Sequence, residues 1–160
     1  MYNAGIAAPR MCHLNGGKGT YPMENEYKIV SVEKPVWNVI GEAISSYNKR
    51  QAGDDEAKSV CFVVVGPDEA IVGGVIGVTY WNWFHIDLLW VQDEVRGRGY
   101  GHQLLTLAEE EARQRGAKNA HLDTFSFQAP DFYRRHGYRV FGELHDFPPG
   151  HQRYYMVKQL

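Results

Sequence analysis

Cysteine is scarce: the 160 residues contain two, Cys12 and Cys61. Cys12 falls in a glycine-bearing leader and Cys61 in an apolar run, so a disulfide framework is not expected and a reducing cytoplasm is the expected setting. Long apolar runs are missing too. None approaches the roughly 18 residues needed to cross a membrane, and the first residues lack the apolar middle of a secretory signal. Charge of one sign is also lacking. Lys and Arg total 17 against 19 Asp and Glu, a net of -2, which removes any general attraction to nucleic acid. Internal repeats and low-complexity tracts are absent. A chain of this length buries about two-thirds of its unfolded surface and needs no metal or disulfide to hold it; no bound metal is expected.

What is present is the make-up of one ordinary globular domain, 44% hydrophobic and 22% charged. Residues 1–23 read as a disordered leader or extension, with Gly16, Gly17 and Gly19 and few periodic apolar positions, and the folded domain is expected over 24–160. Residues 26–32 carry a short strand pattern. Pro35 suits the first turn of a helix, and Trp37, Ile40, Ile44 and Tyr47 recur at helical spacing to about Lys49. β-Branched and apolar runs predict strands over 59–65, 70–80 and 85–91, with a turn at Gly66-Pro67-Asp68-Glu69. Leu104, Leu105, Ala108 and Ala112 mark one helix face, Glu109, Glu110, Glu111 and Arg113 its solvent side, and Gly116 its end. A strand over 120–125, a short helix opened by Pro130 and closed by Gly137, and strands over 138–144 and 154–158 complete an α/β chain.

Between the strand at 85–91 and the helix at 104–112 lies Arg96-Gly97-Arg98-Gly99-Tyr100-Gly101. Alternate glycines let the backbone curl so that its N–H groups converge, and the helix dipole adds partial positive charge. Two arginines add charge of the sign a phosphate wants. This is a phosphate or pyrophosphate cradle, the plain alternative being a strand-to-helix turn with surface arginines. It is not a P-loop, which needs four residues between its glycines and then Lys with Ser or Thr. The dinucleotide fingerprint also fails, because its third glycine position falls on His102 or Leu104.

The run from Leu89 to Gly101 resembles motif A of the GNAT acetyltransferases: Arg or Gln, two residues, Gly, one residue, Gly or Ala. Arg96, Gly99 and Gly101 match it position for position. The run Ala129-Pro130-Asp131-Phe132-Tyr133-Arg134-Arg135-His136-Gly137-Tyr138 is similar to motif B, in which an aromatic-Tyr pair precedes a Gly-aromatic pair. The resemblance covers roughly residues 26–160. It implies a mixed, mostly antiparallel sheet of six to seven strands, splayed between strands four and five, with about four helices. It implies transfer of acetyl from acetyl-CoA to a primary amine of a small molecule in a ternary complex. An aminoglycoside-type compound, a polyamine and an amino-acid-like amine are all candidates. A protein or peptide acetyltransferase, or a non-catalytic CoA-binding sensor, are the competing readings. Many such proteins pair into homodimers.

The resemblance also implies roles. Backbone groups of Trp90 and Val91 meet the pantetheine arm, and amides of Gly97, Arg98, Gly99, Tyr100, Gly101 and His102 hold the diphosphate. Tyr133 faces the sulfur as general acid or as stabiliser of the thiolate, the plain alternative being a core aromatic beside Phe132. Ser126 stands where the family often has Asn, so a pantetheine contact is altered there or supplied by Gln128. Family bases often sit on the strand at 85–91, where strict alternation would put His85, Asp87, Leu89 and Val91 on one face. His85 and Asp87 are therefore the candidate bases: a histidine has the better ordinary pKa, and an aspartate would need burial to raise its own. Glu143 and Asp146 could attract a cationic amine. Trp81, Trp83 and Phe84 are candidate acceptor contacts able to clasp a cation or flat ring, against the plainer reading of core packing.

Overall fold

The computed structural model describes residues 21–22 and 27–160. The expected leader, apart from Tyr21 and Pro22, and the expected domain start near Glu24 lie outside the described residues. The chain divides into two compact units, residues 1–48 and 49–160. In the first, β1 (Tyr21–Pro22) pairs antiparallel with β2 (Lys28–Ile29), the core of the strand predicted over 26–32. Helix α1 (Trp37–Ala52) begins there and ends in the second unit, three residues later than its apolar spacing predicts.

The second unit is built on a six-stranded sheet. Its strands are β3 (Lys58–Val65), β4 (Ile71–Tyr80), β5 (Trp83–Val91), β6 (Asn119–Phe125), β7 (Arg139–His145) and β8 (Gln152–Gln159), in the order β3-β4-β5-β6-β8-β7. Every pairing is antiparallel except β5 with β6. A parallel pair needs a crossover, and α2 (Tyr100–Gln114) supplies it. Helix α3 (Pro130–Arg135) leads into β7 with Pro in its first turn and Gly137 just past its end at φ +85°. Three α-helices and a 3₁₀ turn (Asp93–Val95) are described, where the resemblance implied about four helices. No helix among the described residues is long and apolar enough to cross a membrane.

Turn chemistry sets the hairpins. Between β3 and β4 the Asp68 carboxylate accepts the Ala70 N–H, and Gly66 N–H donates to Ala70 O. Between β4 and β5 the turn is the two residues Trp81 and Asn82, both at positive φ, as a two-residue hairpin requires. Asn tolerates that conformation, and this tight turn lets β5 start at Trp83, two residues earlier than its apolar pattern marks.

The core lies where α2 covers β3, β4 and β5. Leu104, Leu105, Ala108 and Ala112 meet Val60, Val75, Phe84, Ile86 and Val91. Each large side chain buried there contributes about 1.5–3 kcal/mol. Phe84 is fully buried in this cluster, which corrects its reading as an acceptor contact: on β5 it points to the helix side. Gly77 makes room for it. A Cβ at Gly77 would lie 2.6 Å from the Phe84 ring and 2.3 Å from His85 O.

Glu109 is the second correction. It sits on the buried face of α2, only 4% exposed, rather than on the solvent side. Lys158 Nζ donates to its carboxylate at 2.6 Å, Tyr138 Oη at 2.9 Å and Arg113 at 3.3 Å. Burial and the adjacent Glu109 charge push the Tyr138 phenol well above its ordinary range, so it remains a donor.

Two stability outcomes are expected. Glu109→Ala strands the Lys158 and Tyr138 donors and should cost about 3 kcal/mol in a urea melt. Gly77→Ala should cost about 1–3 kcal/mol by overpacking against Phe84 and the β5 backbone; a melting curve superimposable on the unaltered protein would contradict either assignment.

Candidate active site

The site begins where β5 and β6 stop pairing. Their register runs only through Trp83↔Asn119, Phe84↔Ala120 and His85↔His121. Beyond that pair the strands diverge and leave backbone N–H and C=O groups facing an open gap, the kind of edge an extended ligand can pair with. A cleft of about 790 Å³ fills it. Trp90, Val91, Arg96, Gly97, Gly99, Tyr100, Gly101, His102 and Tyr133 all line it, and so does Asp87.

A bulge shapes the β5 wall. Gly77 pairs with Ile86 and Ile76 with Leu88, so Asp87 is the extra residue. Ile86 and Val91 both enter the core although five positions apart, which strict alternation forbids. This corrects the shared face expected for His85, Asp87, Leu89 and Val91. Val91 belongs to the helix-covered side and Leu89 packs against it, whereas Asp87 opens into the cleft.

At the far end of the cleft lies the start of α2. Gly97 and Gly99 have φ of +75° and +85°, the left-handed turn that L side chains avoid. The first intrahelical N–H is that of Gln103, donating to Gly99 O at 3.0 Å. The amides before it are the orphan donors of a helix start, carrying partial positive charge toward the cleft. Arg96 is tied down: its Nε donates to Val91 O at 2.9 Å and its guanidinium pairs with Asp93 at 2.8 Å. It braces the loop as well as adding charge. Arg98 is not part of the cleft wall and donates to Glu94 O.

Tyr133, on α3, is buried against Phe132 and Tyr138 in edge-to-face contacts, yet it also lines the cleft. Burial pushes its phenol up to about 12, with the Asp123 charge adding to the shift. The group therefore stays protonated through the neutral range and can give a proton to a strongly basic anion. Asp123 also lines the cleft and is held by Arg153 Nε at 2.7 Å.

Around Asp87 four polar side chains form a chain of contacts, of which Asp87 alone lines the cleft. His85 Nδ1 lies 3.4 Å from Asp87 Oδ1. The His85 ring stacks on His121 at 4.4 Å and 2°. His121 Nε2 is 2.9 Å from Tyr80 Oη. Burial, followed by the neighbouring His85, lowers the pKa of His121. The structure thus brings His85 and Asp87 together and adds Tyr80 and His121, which sequence pattern does not single out. The only sequence signal was a histidine in a strand otherwise alternating apolar and polar.

Other candidates lie elsewhere. Trp81 and Trp83 line a separate hollow of about 570 Å³ with Asp54, Asp55 and Lys58. Ser126 is not part of the cleft wall; its hydroxyl accepts the Gln152 N–H at 3.2 Å. Gln128 does line the cleft, but its Oε1 accepts from Phe125 N and Thr124 Oγ1. Glu143 lies 3.2 Å from His145, and Asp146 accepts the Gly150 N–H. Neither carboxylate lines the cleft.

Comparison with known proteins points one way. The profile of the acetyltransferase (GNAT) family matches residues 26–138. A blasticidin-S acetyltransferase of Streptomyces morookaense is 43% identical over 91 residues, 56% of this chain and 67% of that protein. A streptothricin acetyltransferase of Streptomyces lavendulae is 31% identical over 117 residues, 71% of this chain and 62% of that protein. The 1.9 Å crystal structure of an acetyltransferase from Bacillus cereus aligns with a TM-score of 0.74 at 38% identity, covering 81% of this chain and 97% of that one.

The loop geometry yields a paired test. Gly99→Val forces a branched residue into the left-handed region and should lower stability by about 1–2 kcal/mol. In Gly101→Ala the new Cβ meets the Phe132 ring at 3.6 Å and Val91 Cγ2 at 3.9 Å, both ordinary contacts, so the melting temperature should hold. Equal behaviour of the two variants in a thermal melt would refute the loop assignment.

Proposed function

Because the chain belongs to the GNAT acetyltransferase family, we propose that it moves the acetyl group of acetyl-CoA to the amine of a small molecule, directly and without a covalent enzyme intermediate. The observation that carries this is the placing of a protonated buried phenol, Tyr133, in one cleft with the exposed amides at the start of α2.

The cleft fits the cofactor in three respects. The amides from Gly97 to His102 suit a diphosphate. The edge of β5 that β6 leaves open after His85 suits the amide-bearing pantetheine arm, although Val91 O on it is taken by Arg96. The gap then runs on past Tyr133 toward Asp87. The cofactor supplies an acetyl thioester. With the thioester in place, Tyr133 would give its phenolic proton to the departing sulfur as the carbon–sulfur bond breaks, and the His85–Asp87 pair would take the proton that the amine sheds as the carbon–nitrogen bond forms. Asp87 and Asp123, both lining the cleft, also favour an incoming cationic amine.

The two relatives named for blasticidin S and streptothricin support a small-molecule acceptor, and these compounds are the first amines to test. A panel of amines with acetyl-CoA, read by thiol release, should give turnover with at least one of them. Tyr133→Phe should lower kcat by about 10²–10⁴-fold with CoA affinity retained in a binding titration. Undiminished turnover in that variant would remove Tyr133 from the acid role.

A further inference from the structure

We propose that the side chains of His102 and His136 form part of the cofactor's phosphate site and take up one proton when the diphosphate binds. This rests on the acetyl-CoA reading above. His102 stands in the first turn of α2 and His136 caps the end of α3, and both line the cleft. His102 Nδ1 and His136 Nε2 are 2.8 Å apart. His136 Nδ1 is 2.7 Å from Phe132 O. The Phe132 ring packs on His136 at 4.3 Å and holds it in place.

Counting hydrogens decides what this pair can do. A carbonyl oxygen only accepts, so His136 Nδ1 carries a hydrogen. The contact between the two rings needs one more hydrogen, on either nitrogen. Two neutral imidazoles bring two hydrogens in all, and both are then spent. The fourth nitrogen, His102 Nε2, is left with a lone pair, which repels a phosphate oxygen. Turning His102 to the other tautomer sets two lone pairs against each other at 2.8 Å. A donor toward phosphate therefore requires a third hydrogen, and with it one positive charge shared by the pair.

The charged groups around the pair are already engaged with one another. Arg96 and Arg135 line the same cleft. Arg96 is paired with Asp93, and on α3 Arg134 is paired with Asp131. Arg98 donates to a backbone carbonyl. Asp123 is paired with Arg153, and Asp87 lies near His85. Among the described residues no carboxylate is paired with either imidazole, so a bound diphosphate supplies the anion that the shared charge faces.

The experiment is calorimetric titration of the full chain with CoA and with dephospho-CoA, each in buffers of different ionisation heat at one mildly alkaline pH. Dephospho-CoA keeps the diphosphate, which does not itself titrate near neutrality. Uptake approaching one proton per molecule is expected with both ligands. Affinity should fall by up to about tenfold per pH unit over the pH range in which that uptake is seen. His102→Gln should abolish the uptake and weaken binding while the melting temperature holds. Binding with no proton uptake, or unchanged uptake in His102→Gln, overturns the proposal alone. Uptake with CoA but not with dephospho-CoA overturns the diphosphate assignment. Failure of the unaltered protein to bind either ligand overturns the acetyl-CoA reading on which it stands.

Discussion

The site depends on one constraint: β5 and β6 run parallel and part after three residue pairs. A parallel pair cannot be closed by a hairpin, so a helix must intervene, and the start of that helix falls beside the gap. The exposed amides and the open strand edge therefore arise from the same connection. Paired to their full length, the strands would leave no opening. Joined by a hairpin, they would have no helix start to aim at it.

The walls of the gap are chemically unlike. On one side the loop from Gln92 to Gly99 and the first turn of α2 present N–H groups and cations. From β5 and β6 Asp87 and Asp123 line the cleft, and Asp87 is linked through His85 to His121 and Tyr80. Tyr133 stands between these regions, buried on its own helix yet facing the cleft. Its neighbours keep it neutral for a simple reason: ionising a phenol under a low-dielectric cover, close to the Asp123 carboxylate, is costly.

Much of this was legible in the sequence because glycine and proline punctuate the elements. Pro130, Gly137 and the turn at Gly66-Pro67-Asp68-Glu69 fall where the structure uses them. The glycine-rich cradle was legible for the same reason, since positive φ is a local demand. What was not legible depends on partners distant in the chain. The bulge at Asp87 answers to Gly77 on the neighbouring strand. The aromatic run from Trp81 to Phe84 gave no sign that Phe84 turns inward while Trp81 and Trp83 face another hollow. His102 and His136 meet across 34 residues, and nothing local distinguishes either of them.

Glu109 had a signal that residue type overrode: it is four residues from Leu105 and three from Ala112, on the inner stripe of α2. Its position has a mechanical meaning. Leucine and alanine contacts tolerate small rotations or slippage of a helix, because apolar attraction has no direction. A carboxylate answered by Lys158 from β8 and Tyr138 ahead of β7 does not. It acts as a key in a keyway, locking the helix at one rotation. Because the helix is stiff, that lock also sets the aim of the amides at its opposite end, more than two turns away.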